Sequence, residues 1–133
     1  MKKRILLVPM FLVTVGALPL YMAGEVTGTP AQTEQRERLE RKFEEYRTAM
    51  TDAYKIDIKN FKDKLPGGHA DAKPITNYDL NQLLSGINFE RDHTKDNMLA
   101  LELAMDHLER IPDYYRRLAI MDRQYESERL LAW

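Results

Sequence analysis

The sequence predicts an all-α protein: an N-terminal hydrophobic helix acting as signal anchor or signal peptide, one long amphipathic helix, and a small bundle of three shorter helices. Three observations predict it. Apolar residues recur at alternating steps of three and four along most of the chain, the period of a helix face and not the alternation of a half-buried strand. Each periodic run is bounded by residues that stop or start helices: Pro66-Gly67-Gly68, Pro74, Thr94 with Asp96, and Pro112 with Asp113. The length of 133 residues is that of one domain, whose folded remainder of about 100 residues supports a small core of packed helices better than a large cleft.

Residues 1–24 form the first element. Lys2, Lys3 and Arg4 precede an uncharged run from Ile5 to Ala23 that ends before Glu25, the arrangement of an export signal. Val15-Gly16-Ala17 is an acceptable cleavage site but lies inside the apolar run, and the sites at its end place Tyr21 or Met22 at the third position before the cut. The segment therefore reads as a retained signal anchor with residues 5–23 in the membrane, or as a signal peptide if it is cleaved. Its basic start orients the N-terminus to the cytoplasm and exports the rest. The expected location is inner-membrane anchored with the bulk periplasmic, or secreted to the periplasm.

Residues 25–33, rich in Gly, Thr and Pro, read as a tether. Over 34–65, Leu39, Phe43, Tyr46, Met50, Tyr54, Ile58, Phe61 and Leu65 draw one stripe on a long amphipathic helix whose other faces carry oppositely charged i,i+4 pairs. Such a helix would exceed about 45 Å, more than a small domain can cover, so part of its stripe is expected to meet a partner. Pro66, Gly67 and Gly68 end it, and His69 in the following loop is given no role.

The domain at 74–133 holds three helices. The first, from about Tyr78 to His93, turns Leu80, Leu83, Leu84, Ile87 and Phe89 inward and carries Gly86 at its middle. Because a mid-helix glycine costs about 1 kcal/mol against alanine, a close helix neighbour at Ala100 or Ala104 is expected there. The second begins after Thr94 or Asp96 as N-cap and directs Leu99, Ala100, Leu103, Ala104, Leu108 and Ile111 inward. The third opens at Asp113 and carries Tyr114, Tyr115, Leu118, Met121 and Tyr125, with Leu130 and Trp133 near its end.

Composition removes whole classes of chemistry. Charged residues are 31% of the chain and nearly balanced, 20 Lys+Arg against 21 Asp+Glu, which leaves no basic footprint for nucleic acid. Cysteine is absent, so thiol nucleophiles, cysteine-ligated metals, disulfides and a lipoprotein anchor are excluded. No phosphate loop, Ser-His-Asp order or zinc-protease helix is present. No catalytic residues are assigned.

What remains is a repeated acid–histidine pattern, Glu90/Asp92/His93 and Asp106/His107. Glu90 and His93 form an i,i+3 pair, half of the ligand set of carboxylate-bridged di-metal bundles, but Asp106 and His107 are adjacent and diverge by about 100° on a helix. A hairpin turning near Thr94 would set Glu90 and His93 against 97–101 and His107 against 82–86, about 10 Å or more away. The preferred role for both clusters is structural. His93 would favour the carbonyls of its helix end, and Asp106 and His107 would hydrogen-bond around Pro112 and the paired tyrosines. The alternative is a divalent-metal or ligand site using Glu90, His93, His107 and Asp122.

The segment from Pro74 to Asp122 resembles a small, functionally uncharacterised helical domain of bacteria and phages with the approximate pattern G-x-x-V-E-L-E-H-T, then I-A-x-D-H-L-x-E-x-P-D-Y-Y-x-x-L, then M-E. Gly86, Glu90, His93, Thr94, Ala104, Asp106, His107, Leu108, Pro112, Asp113, Tyr114, Tyr115, Leu118 and Met121 match it, while Asn88-Phe89, Arg91-Asp92, Arg110 and Asp122 depart from it. The resemblance implies a shared fold and surface, and no reaction. The expected function is a non-catalytic, membrane-tethered or exported accessory protein, a structural subunit that docks on a larger membrane or envelope assembly. Contact would run through the long helix and the C-terminal helix, to a protein partner or a second copy, and without a cofactor.

Overall fold

Thr29 starts the first helix by accepting a hydrogen bond from the Gln32 backbone N–H while the Gln32 side chain accepts from Thr29 N–H, a reciprocal cap followed by Pro30 in the first turn. The structure, a computed structural model, describes residues 28–132. They form helices α1 (Pro30–Tyr54), α2 (Leu80–Glu90), α3 (Asn97–Arg110) and α4 (Tyr114–Leu131), with single 3-10 turns at Ile58–Asn60 and Ile75–Asn77 and no strand among the described residues. The expected signal segment, residues 1–24, lies outside them. Among the described residues no helix is long and apolar enough to cross a membrane.

The long helix differs from expectation at both ends. Residues 30–33, read as the end of the tether, already belong to α1, and α1 stops at Tyr54 although the apolar stripe continues to Leu65. The stop is Lys55 in the left-handed conformation (φ 59°, ψ 30°). Beyond it Ile56 N–H bonds back to the Met50 carbonyl at 3.3 Å, and both side chains are fully buried, the paired backbone bond and apolar contact of a Schellman-type end. Arg47 then clamps the departing strand of chain with two bonds to the Asp57 carboxylate, at 2.8 and 3.1 Å. Ile56 and Ile58 enter the core as loop residues.

The core joins the second half of α1 to the three shorter helices. Tyr46, Met50, Ile56, Ile58, Leu83, Ile87, Ala100, Leu101, Ala104, Met105, Leu108 and Tyr115 are buried, with Phe43, Tyr54, Leu84, Phe89 and Leu118 packed around them. Each of its large apolar side chains contributes about 1.5–3 kcal/mol when fully buried. On α3 the inward face is Ala100, Leu101, Ala104, Met105 and Leu108; Leu99 and Leu103 are only half-buried and Ile111 is exposed. Leu101 and Met105 take the inward places expected for Leu99 and Leu103, because apolar residues at 98, 99, 101, 103 and 105 allow more than one inward face. Its N-cap is Asp96, which accepts from Met98 and Leu99 N–H, while Thr94 in turn accepts from Asp96 N–H. Helix α2 is shorter than expected: Asp79 caps it, and 91–93 form a turn after Glu90.

Candidate functional site

Three helices meet at Gly86. A Cβ placed on it would lie 2.5 Å from the Tyr115 ring and 2.7 Å from the Ala104 methyl, so the expected close neighbour is Ala104, joined by an aromatic ring from α4. That ring carries its hydroxyl past α2 to a buried acid. Tyr115 donates to Glu90 Oε1 at 2.7 Å, and His107 Nδ1 lies 3.2 Å from both the Tyr115 hydroxyl and Glu90 Oε1. The His107 ring also stacks on Tyr114, with centroids 4.6 Å apart and planes 7° from parallel.

Tyr115 spends its only proton on Glu90, so a hydrogen bond from His107 into this pair requires the tautomer that carries its hydrogen on Nδ1. Burial first, and the Glu90 carboxylate second, push the Tyr115 phenol far above its ordinary range, since the phenolate would be a second negative charge in the same dry site. Among the described residues no buried side-chain nitrogen or oxygen lacks a partner.

This arrangement corrects the expected separation. Glu90 and His107 are not about 10 Å apart; they touch, because Glu90 is buried at the end of α2 and reaches across to α3 while α4 closes over both. His93 and Asp122 stay outside. The His93 residue is exposed, past the end of its helix, with its ring 5.7 Å from that of Phe89. Asp122 is exposed on α4 beside a groove it shares with Phe89 and Asp92. Of the four candidate ligands the fold joins two, and no group of three acids or histidines suited to a metal occurs among the described residues. Asp106 turns away from the tyrosines and accepts from Ala70 N–H at 2.8 Å, whereas His107 meets both tyrosines as expected.

Sequence reasoning singled out Asp106 but missed Glu102 and Glu109, the acids that act with it. Glu102, Asp106 and Glu109 are spaced four and three apart on α3, so they share a face, and together they hold the 61–78 segment. Glu102, itself buried, accepts from Lys64 and Leu65 N–H. Glu109 pairs with Lys73 and accepts from the Tyr78 hydroxyl at 2.9 Å. The i,i+4,i+7 spacing was available in the sequence as a signal, but an acid stripe on a helix otherwise reads as a solvated face.

The fold and site define a small all-helical domain with an internally satisfied polar centre. Residues 37–124 match the family described as protein of unknown function DUF5661. The chain belongs to that family. No curated protein and no solved structure matches it.

Proposed function

We propose that this protein is a non-catalytic helical interaction module, tethered to a membrane or exported through its N-terminal segment, that docks as an accessory subunit on a larger membrane or envelope assembly. The observation that carries this reading is the far half of α4. From Ala119 on every described residue of α4 is exposed, with Met121, Tyr125, Leu130 and Leu131 between 63% and 87% exposed. Single exposed apolar residues are ordinary, but Met121 and Tyr125 are one turn apart on one side of the helix, and two large apolar side chains left together in solvent suit contact with another surface. The acid–histidine–tyrosine pattern of the bacterial and phage domain would then be the shared internal brace that fixes the angle of α4. A photo-crosslinking residue at Met121 or Tyr125 of the full chain in its source cell should give a discrete adduct, and one at Lys55 none. Absence of any adduct from the α4 positions would remove the reading.

One observation favours a second reading, a small metal- or ligand-binding bundle using Glu90, His93 and His107. A buried carboxylate 3.2 Å from His107 Nδ1 is the outer support that metal-bound histidines use, and in the tautomer that donates to it Nε2 would be the free lone pair. Metal analysis of the full chain purified without chelator tests it: stoichiometric zinc, iron or manganese lost on His107→Ala would favour it over the interaction reading.

A further inference from the structure

The groove between α2 and α4 has a composition that the interaction reading does not by itself explain. It encloses about 250 Å³ and is floored by Phe89, Tyr115 and Leu118, with Asn88, Asp92 and Asp122 on its walls. Phe89 and Leu118 are half-buried, Tyr115 is buried, and the two aspartates are exposed. The half-buried acids Asp113, Asp57, Asp96 and Glu109 are taken up by Arg116 and Arg117, by Arg47, by Lys64 and by Lys73. Asp92 and Asp122 are among the exposed acids with no salt bridge or side-chain hydrogen bond to any described residue, and the two face one groove that also holds Phe89 and Tyr115.

From this geometry we infer that the α2–α4 groove receives a cationic side chain, best an arginine, from a basic amphipathic segment of a protein partner; the inference rests on the interaction reading and gives that partner its chemistry. Carboxylates on the walls supply charge and acceptors for a guanidinium fork, the face of Phe89 offers a cation–π contact, and Leu118 accepts the aliphatic stem. A lysine would gain the charge but not the fork or the stacking. On α4 the exposed Met121 and Tyr125 stand three and seven residues after Leu118, on its side of the helix, so apolar neighbours of the arginine on one helical face would extend the contact.

The full chain, 15N-labelled in a neutral detergent, is titrated with an acetylated 14-residue helical peptide of leucine, alanine and arginine, and separately with its glutamate-for-arginine counterpart. The arginine peptide should shift the resonances of Phe89, Asp92 and Asp122, and the glutamate peptide should not. Asp92→Asn and Asp122→Asn, both exposed and near-isosteric, should each weaken binding about two- to five-fold, as for exposed ion pairs, and added salt should reduce the difference. Equal binding of the two peptides, unchanged affinity in both asparagine variants, perturbations confined to other surfaces, or a dimer that competes with the peptide would each overturn the proposal. If it falls while crosslinking from Tyr125 persists, the docking role stands with a partner of different chemistry; if crosslinking is also lost, the docking role falls with it.

Discussion

Gly86 sets how closely α2 lies on its neighbours, because its missing Cβ is the space that Tyr115 and Ala104 occupy. Gly86→Leu should therefore overpack the junction and lower stability by about 1–3 kcal/mol or more, read from urea or thermal unfolding; an unchanged melting temperature would refute the packing. The polar side of the same junction makes a separate demand. Tyr115→Phe keeps the ring but deprives Glu90, 4% exposed, of its shortest hydrogen bond, a loss of about 1–3 kcal/mol for an under-satisfied buried acceptor. His107→Ala removes the second contact to Glu90 and the stack on Tyr114, and should destabilise equally in EDTA and in zinc. The His93→Ala change should cost less, since that side chain only flanks Phe89. A destabilisation by His107→Ala that appears only with metal present would contradict this account.

Helix α1 divides into two halves with different roles. Met50 is fully buried and Leu39 is 55% exposed, although both lie on the same sequence stripe; Met50→Ala should cost about 2–5 kcal/mol and Leu39→Ala within about 0.5. Lys55 holds a left-handed backbone that glycine adopts without penalty, so Lys55→Gly should raise the urea midpoint, by about 0.5–1 kcal/mol in stability. The same residue shows why the helix end was illegible: a lysine gives no stop signal, and Ile58, Phe61 and Leu65 preserve the three–four spacing while packing as loop or facing solvent. Where strong punctuation existed, at Asp79, Asp96 and Pro112, helix ends could be read within a few residues. The Glu90–His107 contact was hidden for another reason. A two-helix register fixes rise along the hairpin but not the reach of side chains, nor the tyrosine that α4 inserts between them. The acid face of α3 has a pH signature. Lys73 first, then the Tyr78 hydroxyl, holds Glu109 below its ordinary value of 4.5, and Asp96 is lowered likewise by Lys64 and its cap N–H groups. A lowered folded-state pKa contributes stability above the ordinary value and loses it as pH falls through the lower one. The urea midpoint should thus hold from neutrality to about pH 5 and decline below about 4.5, less steeply in Lys73→Met; a flat profile to pH 3 would argue against the pairings.

At the scale of the whole molecule the second half of α4 and the first half of α1 are the surfaces that the core does not use. Among the described residues, ending the full chain after Asp122 removes no buried side chain, so its melting temperature should change little while crosslinking through Tyr125 is lost; a large drop in melting temperature would show that this half of α4 supports the fold. The exposed start of α1 has a kinetic consequence. Helices α2, α3 and α4 are sequence neighbours joined by short turns, whereas the clasps from α3 to the 61–78 segment, and from α1 to Tyr78 and Leu84, close loops of 30 residues or more. Local contacts form before distant ones because loop closure is entropically costly. The hairpin of α2 and α3 with α4 is thus the natural folding nucleus, and α1 the last segment to lock. In deuterium the amides of Ile87 and Ala104 should exchange only through global unfolding, those around Met50 through a cheaper partial opening, and those from Gln35 to Arg41 by fraying of a helix with nothing beside it.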